Sequence, residues 1–304
     1  MRALYPRRSL GLAATIFPLA MITPLAATTQ PDRINDLALW LTADDLSSRH
    51  QDDQVITLWP DRSGNGYDAI FEARIPQAGM ETGIHNPPTY KHGALNGQPV
   101  VDFDAADRQG LILNRAGHAL GQKTSGFTAV FLVKPSLVYG PPPAPGAPWT
   151  TNRYLFLTHV SNYCTRVSVQ IVEDTGEVQL FTRAVPTQED GNDHSSFIDG
   201  EKHALTDGAW HCLMVTVDYE AKIARIVIDE EVLVFSLPPD TANAFEDIPS
   251  PITGIASTTL GDWLTCQLAE IICYQRALTV DELTNLACYL REKYQLIADT
   301  ASDG

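Results

Sequence analysis

From Leu37 to Tyr274 the chain is a succession of short apolar, β-branched and aromatic runs, separated by clusters of Gly, Pro, Asp and Asn. The runs are Leu37–Leu41, Val55–Trp59, Pro99–Phe103, Gly110–Leu113, Phe127–Val133, Tyr154–Leu157, Val167–Val172, Glu177–Phe181, Trp210–Val217, Ala224–Ile228, Val232–Phe235, Gly254–Leu260 and Cys266–Tyr274. Each is long enough for a strand and too short for a stable helix. Turn signals between many such runs point to a sandwich or jelly roll of antiparallel sheets. No helical pattern alternates with them, which argues against a parallel α/β sheet. Glu173-Asp174-Thr175-Gly176 reads as a hairpin turn, and Tyr219–Lys222 and Asp229–Glu231 as the turns of a meander. An all-β unit of this size is commonly one domain, so residues 37–296 are expected to fold together.

Two stretches interrupt the rhythm. Pro135–Pro148 contains Gly140-Pro141-Pro142-Pro143 and is expected to be a semi-rigid loop, since proline is excluded from central strands. Pro186–Thr206 is polar and is expected to be a second long loop. One helix closes the pattern. Thr279-Val280-Asp281-Glu282 is a capping box, and Leu283, Leu286, Ala287, Leu290 and Tyr294 form an apolar stripe at helical spacing. Residues 297–304 read as a frayed tail.

The amino terminus reads as an address. Arg2, Arg7 and Arg8 precede an apolar run from Leu10 to Ala20, and small residues follow up to Ala27. That is the pattern of a secretory signal peptide over residues 1–27, with a linker over 28–36. The run is shorter than the ~20 residues a membrane helix needs. A secreted location, periplasmic or extracellular, follows. The net charge of −16 repels phosphate backbones and anionic lipids, which argues against nucleic-acid and membrane partners. Five cysteines, Cys164, Cys212, Cys266, Cys273 and Cys288, fit no zinc spacing; those in apolar runs read as small buried hydrophobes, with one disulfide left open.

The order of several short motifs resembles a bacterial laminin-G-like domain of the concanavalin A-like lectin/glucanase superfamily. They are Leu37-Ala38-Leu39-Trp40-Leu41-Thr42-Ala43-Asp44, Trp59-Pro60-Asp61-Arg62-Ser63-Gly64-Asn65-Gly66-Tyr67-Asp68, Leu95-Asn96-Gly97-Gln98-Pro99-Val100-Val101-Asp102-Phe103, and Ala269-Glu270-Ile271-Ile272-Cys273-Tyr274-Gln275-Arg276-Ala277-Leu278. The resemblance implies two packed antiparallel sheets in a jelly roll with one C-terminal α-helix. It leaves function open, because such folds serve lectins, adhesion modules, glycosidases and lyases. Asp229-Glu230 departs from the Asp-Gly turn usual in that pattern.

Asp61, Ser63, Asn65, Gly66 and Glu72 have the spacing of an EF-hand calcium loop. Trp59-Pro60 precludes the incoming helix, so two readings remain: calcium held by Asp61, Ser63, Asn65 and Glu72 with help from other loops, or an Asx-type turn. Glu270 lies among apolar residues and reads as bonded to a nearby loop or to Arg276, with metal or catalytic use as the other reading; His211, after Trp210, reads as architectural, with a catalytic base as the other reading. The glucanase pattern E-x-D-x-E is absent, as are G-x-S-x-G, H-E-x-x-H and nucleotide fingerprints. A lyase site of scattered residues stays open. Sugar binding needs aromatic faces and nearby amides or hydroxyls; Tyr139, Trp149, Phe197 and Trp263 are the loop aromatics that can supply stacking. The expectation is an exported, non-catalytic binding module for carbohydrate, with structural Ca2+ as the cofactor under the calcium reading of the Asp61 loop. The other readings are an adhesion domain for an extracellular protein surface and a polysaccharide-cleaving enzyme.

Overall fold

The computed structural model describes residues 15–18, 29–71, 86–113, 125–136, 152–159, 165–172, 175–183, 195–205, 207–237, 239, 253–255 and 264–296. In chain order the first strands are β1 (Thr15–Pro18), β2 (Leu37–Thr42), β3 (Leu58–Trp59), β4 (Ala69–Ile70), β5 (Thr89–Leu95), β6 (Gln98–Phe103), β7 (Leu111–Leu113) and β8 (Gly126–Pro135). Then come β9 (Asn152–His159), β10 (Thr165–Val172), β11 (Glu177–Arg183), β12 (Ser195–Ala204), β13 (His211–Asp218), β14 (Ile223–Ile228), β15 (Glu231–Ser236), β16 (Thr253–Ile255) and β17 (Cys266–Tyr274). The helix α1 (Val280–Tyr294) follows.

These strands make two antiparallel sheets. The first runs β1-β15-β14-β13-β8-β17-β6-β5, with β2 also on β17; the second runs β12-β11-β10-β9-β16-β7-β4-β3. The expected meander is β13-β14-β15, and the expected hairpin joins β10 to β11.

Side-chain alternation decides what each face buries. Phe127, Ala129, Phe131 and Val133 of β8 face the second sheet and pack with Phe156, Val169 and Leu180. The Phe131 and Phe156 rings meet across the sandwich at 5.8 Å. Val130 and Leu132, on the opposite face, join Met214 and Ile272 beneath Leu286 and Leu290 of α1. Both faces of β8 and β13 are thus covered, which is why their sequences are nearly continuous in apolar residues rather than alternating.

The helix starts where its capping box lies. Thr279 Oγ1 accepts from the Glu282 N–H at 3.3 Å, and Glu282 Oε2 accepts from the Thr279 N–H at 2.9 Å. Arg276 donates to both Glu282 oxygens at 2.8 and 2.5 Å and holds that carboxyl down at about pH 2. The helix ends at Gln295, which is left-handed with φ 50°.

Four strands were not expected from the runs. β4 is only two residues long, and β5 is an edge strand with Lys91, His92 and Gly93 in it. β12 corrects the expected loop over Pro186–Thr206: Ser195–Ala204 pairs with β11, because backbone bonding to an available edge outweighs a polar sequence. β1 lies inside the segment read as a leader; it pairs with β15, Thr15 opposite Val234. The 28–36 stretch is not a free linker throughout. Pro31–Arg33 is a 3-10 turn, Pro31 and Ile34 are buried, and the Tyr274 hydroxyl donates to the Pro31 carbonyl at 3.1 Å.

Cys212, Cys266 and Cys273 are buried free thiols and Cys288 is a half-buried one. Burial pushes Cys212 up to about 12, so it behaves as a small hydrophobe. Cys164 and most of Pro135–Pro148 lie outside the described residues.

Candidate functional site

A sandwich has two outer faces, and here one of them is occupied. On the first sheet, α1 covers the outer face and is locked there by Glu270, whose side chain is wholly buried. Glu270 Oε1 accepts from Trp40 Nε1 at 2.6 Å and from the Tyr289 hydroxyl at 2.9 Å. Oε2 accepts from Lys293 Nζ at 2.7 Å and from the Tyr294 hydroxyl at 2.8 Å. Lys293 also donates to Thr42 Oγ1 at 2.8 Å and pairs with Asp44 at 2.9 Å. Burial, and next the Glu270 charge, push both tyrosine hydroxyls well above their ordinary range, so they remain proton donors. With four donors on two oxygens, Glu270 has no lone pair aimed at open space. It fastens helix to sheet, and its partners are not Arg276, which binds Glu282 and Asp36 instead.

The Asp61 loop closes the free side of β2. Asp61 Oδ1 accepts from the Trp40 N–H at 3.0 Å and the Ser63 N–H at 2.9 Å; Oδ2 accepts from the Ser63 hydroxyl at 2.8 Å and the Tyr67 N–H at 3.0 Å. Asn65 Nδ2 donates to the Leu37 and Ala38 carbonyls at 3.1 and 2.9 Å. The Arg62 N–H donates back to the Trp40 carbonyl at 2.8 Å. Gly64 and Gly66 take φ of 89° and 76°, the left-handed region the tight loop requires. Calcium wants six to eight oxygens, and here the Asp61 oxygens already face four donors while Asn65 turns its amide nitrogen to the backbone. The geometry favours the Asx-turn reading. Glu72 lies outside the described residues, and those residues contain no group of three or more His, Cys, Asp or Glu able to hold a metal.

His211 sits between two carboxylates, with Nδ1 2.9 Å from Asp229 and Nε2 2.9 Å from Asp207. Burial acts to lower its pKa, but the bonds to Asp229 and then Asp207 outweigh it and hold it above the usual value. Asp229 also accepts from the Cys212 N–H at 2.9 Å. Both ring nitrogens are used, so His211 is a clamp between the approach to β13 and the β14–β15 turn, not a catalytic base. Sequence reasoning missed this clamp and the Trp40–Tyr289–Tyr294–Lys293 donors. The one-turn spacing of Tyr289 and Lys293 beside the apolar stripe was the local hint.

The second sheet presents the other outer face. Val167, Val169 and Ile171 of β10 point into the core, so Ser168 and Gln170 point away from it. Yet these two are only 0% and 2% exposed, and Gln170 Nε2 donates to Ser168 Oγ at 2.8 Å. Register extends both positions across the sheet. Ser168 stands opposite Leu157 and Phe181, and Phe181 opposite Phe197; Gln170 stands opposite Tyr154 and Gln179, and Gln179 opposite Asp199. Two adjacent rows on one face therefore mix aromatic with amide, hydroxyl and carboxylate positions. The signal was visible as the alternation Val167-Ser168-Val169-Gln170-Ile171.

Of the four expected sugar-stacking aromatics, Phe197 is placed, on strand β12 rather than on a loop. Tyr139, Trp149 and Trp263 lie outside the described residues. The described residues nearest Tyr139 and Trp263 in sequence include Ser136 and Thr265, whose backbones bond at 2.9 Å at one end of the first sheet.

No protein-family model matches the sequence, and no curated protein matches it either. Solved structures do resemble the fold. Domain 4 of AbnA, a GH43 extracellular arabinanase from Geobacillus stearothermophilus in complex with arabinotriose, is similar with a TM-score of 0.52 at 18% identity, over 83% of this chain and 98% of that one. Trypanosoma rangeli sialidase is similar with a TM-score of 0.52 at 14% identity, over 90% of this chain and 36% of that one. This chain thus spans about a third of the sialidase's length. The fold is a β-sandwich of two antiparallel sheets, closed among the described residues by one C-terminal helix. No helix among the described residues is long and apolar enough to cross a membrane.

Proposed function

We propose that the protein is an exported, non-catalytic carbohydrate-binding module of laminin-G-like type, taking a neutral glycan on the outer face of its second sheet. The observation that carries this reading is the pair of rows through Ser168 and Gln170. The first sheet's outer face is occupied by α1, so the face proposed for the ligand is the second sheet's, where Ser168 and Gln170 are buried and the positions beside them in register carry the aromatic residue types. Register places the aromatic residue types Tyr154, Phe181 and Phe197 and the half-buried Gln179 on the rows through Ser168 and Gln170, and these are residue types that suit a sugar. Tyr139, Trp149 and Trp263 are further stacking candidates. The likeness to a domain solved with arabinotriose supports the class of ligand. The net charge of −16 disfavours anionic glycans. Glu270 and His211, the groups with most catalytic potential, are both consumed by structural bonds, which supports binding over cleavage.

A glycan array with the purified protein, run with and without a calcium chelator, tests the proposal. Binding to neutral oligosaccharides, unchanged by chelator, is expected. Release of new reducing ends from a polysaccharide panel would replace the module by an enzyme. An empty array together with capture of an extracellular protein would replace it by an adhesion domain.

A further inference from the structure

The edges of the two sheets are not protected alike. An exposed edge strand is a template for pairing, and natural proteins blunt it with lysine, proline, a bulge or shortness. At one edge of the first sheet, β5 carries Lys91, His92 and Gly93 and breaks register between Lys91 and Leu95. In the second sheet β3 is two residues long. At the other edge of the first sheet, β15 has none of these devices. It reads Glu231-Val232-Leu233-Val234-Phe235-Ser236 and pairs with β14 over six consecutive positions without a shift.

What covers β15 is the chain's own β1. Thr15, Ile16, Phe17 and Pro18 stand opposite Val234, Leu233, Val232 and Glu231. Those four residues lie within the apolar run that reads as the core of a secretory leader. Cleavage after Ala27 removes them and leaves a regular β-branched and aromatic edge.

We infer that removal of the leader exposes β15 as a self-association surface, which a second copy of this chain occupies by antiparallel β15–β15 pairing about a two-fold axis. The inference rests on the leader reading above. Its chemistry is self-complementary. Pairing centred on Val234 sets Val232 opposite Ser236 and Leu233 opposite Phe235, and it leaves Glu231 outside the ladder, so no like charges meet despite the acidic chain. Opposed residues share faces: Leu233 extends the inter-sheet core, and Val232 and Val234 extend the cluster on the outer face. A two-fold contact also uses one patch twice and closes, which gives a dimer rather than a fibre. In the unprocessed chain β1 holds the edge and keeps it from pairing.

The test compares exported protein with the unprocessed 304-residue chain. Intact-mass spectrometry reads the amino terminus, and sedimentation velocity over a micromolar concentration series reads the assembly. The processed protein is expected to have twice the mass of one chain, and the unprocessed chain to be a monomer. Val234→Lys sets two ammonium groups opposite each other and should return the processed protein to a monomer; Val234→Thr should keep the dimer. Matching circular dichroism and melting curves establish that both variants fold. Exported protein that retains residues 1–27 overturns the inference at its first step. A processed chain that stays monomeric, or a folded Val234→Lys variant that still dimerises, overturns it at the second.

Discussion

Replacing Glu270 by alanine tests whether the buried carboxylate holds the helix to the sheet. Its side chain is wholly buried, and four donors reach it at 2.6 to 2.9 Å. The substitution leaves Trp40 Nε1 and the Tyr289 and Tyr294 hydroxyls without this acceptor; a buried polar group left unsatisfied costs roughly 1–3 kcal/mol. Lys293 keeps Asp44 and Thr42, so its charge is not stranded. Tyr294 keeps a long bond to the Ala269 carbonyl at 3.3 Å. Removing one member of a buried ion pair generally costs about 3–5 kcal/mol, and the surviving contacts place Glu270→Ala near the lower end of that range, about 3 kcal/mol. For a domain of this size, 1 kcal/mol moves the midpoint by about 2–4 °C, so melting should fall by roughly 6–12 °C. Glu270→Gln keeps one acceptor but turns an amide N–H toward other donors, and should lose about 2 kcal/mol. Urea unfolding followed by tryptophan fluorescence and by far-ultraviolet circular dichroism gives both numbers. If Glu270→Ala lies within 1 kcal/mol of wild type, the network does not fasten α1 and this reasoning fails.

The His211 clamp predicts a pH dependence with a definite sign. Its folded pKa is raised, so its contribution is complete below the unfolded value near 6.5 and is lost as pH rises through the folded value. Wild type and His211→Gln should therefore differ most in urea stability at about pH 5–6 and converge in mildly alkaline buffer; a gap that widens with pH contradicts the clamp. Asp61→Ala removes an acceptor for four donors and should cost about 2 kcal/mol, equally in several millimolar calcium and in chelator. A melting rise with calcium in wild type that the variant lacks would restore the metal reading. Limited proteolysis should cut within 141–148 or 190–194 and leave the pieces associated, whereas two separately folded halves would disprove one domain over 37–296.

The legible parts of the fold are those with short-range causes. The β8 and β13 runs stood out because both of their faces are buried, which forces continuous apolar sequence. The helix stood out because its start is written in four residues, Thr279 to Glu282. β5 and β12 were hidden for the opposite reason: an edge strand is stabilised by backbone bonds to a neighbour and can carry Lys91, His92, Glu201 and Lys202 without penalty. The site was less legible than the fold. Trp40 and Glu270 are 230 residues apart, and nothing local announces that they meet. The Asp61 loop shows the limit of spacing arguments, since Asp61, Ser63 and Asn65 serve a hydrogen-bonded turn as well as a cation loop. Phe197 reads as a loop aromatic in sequence but lies on β12, because its place depends on register with Phe181.

The central claim is that the second sheet's outer face binds a neutral sugar. Isothermal titration of the best neutral oligosaccharide against wild type, Phe197→Ala and Phe181→Ala tests it most directly. Aromatic stacking contributes about 1–3 kcal/mol in comparable recognition, and each 1.4 kcal/mol is tenfold in affinity. Binding should therefore weaken by about 10- to 100-fold in both variants, with melting curves showing that they fold. Undiminished affinity in both folded variants would contradict the claim and move the site off this face.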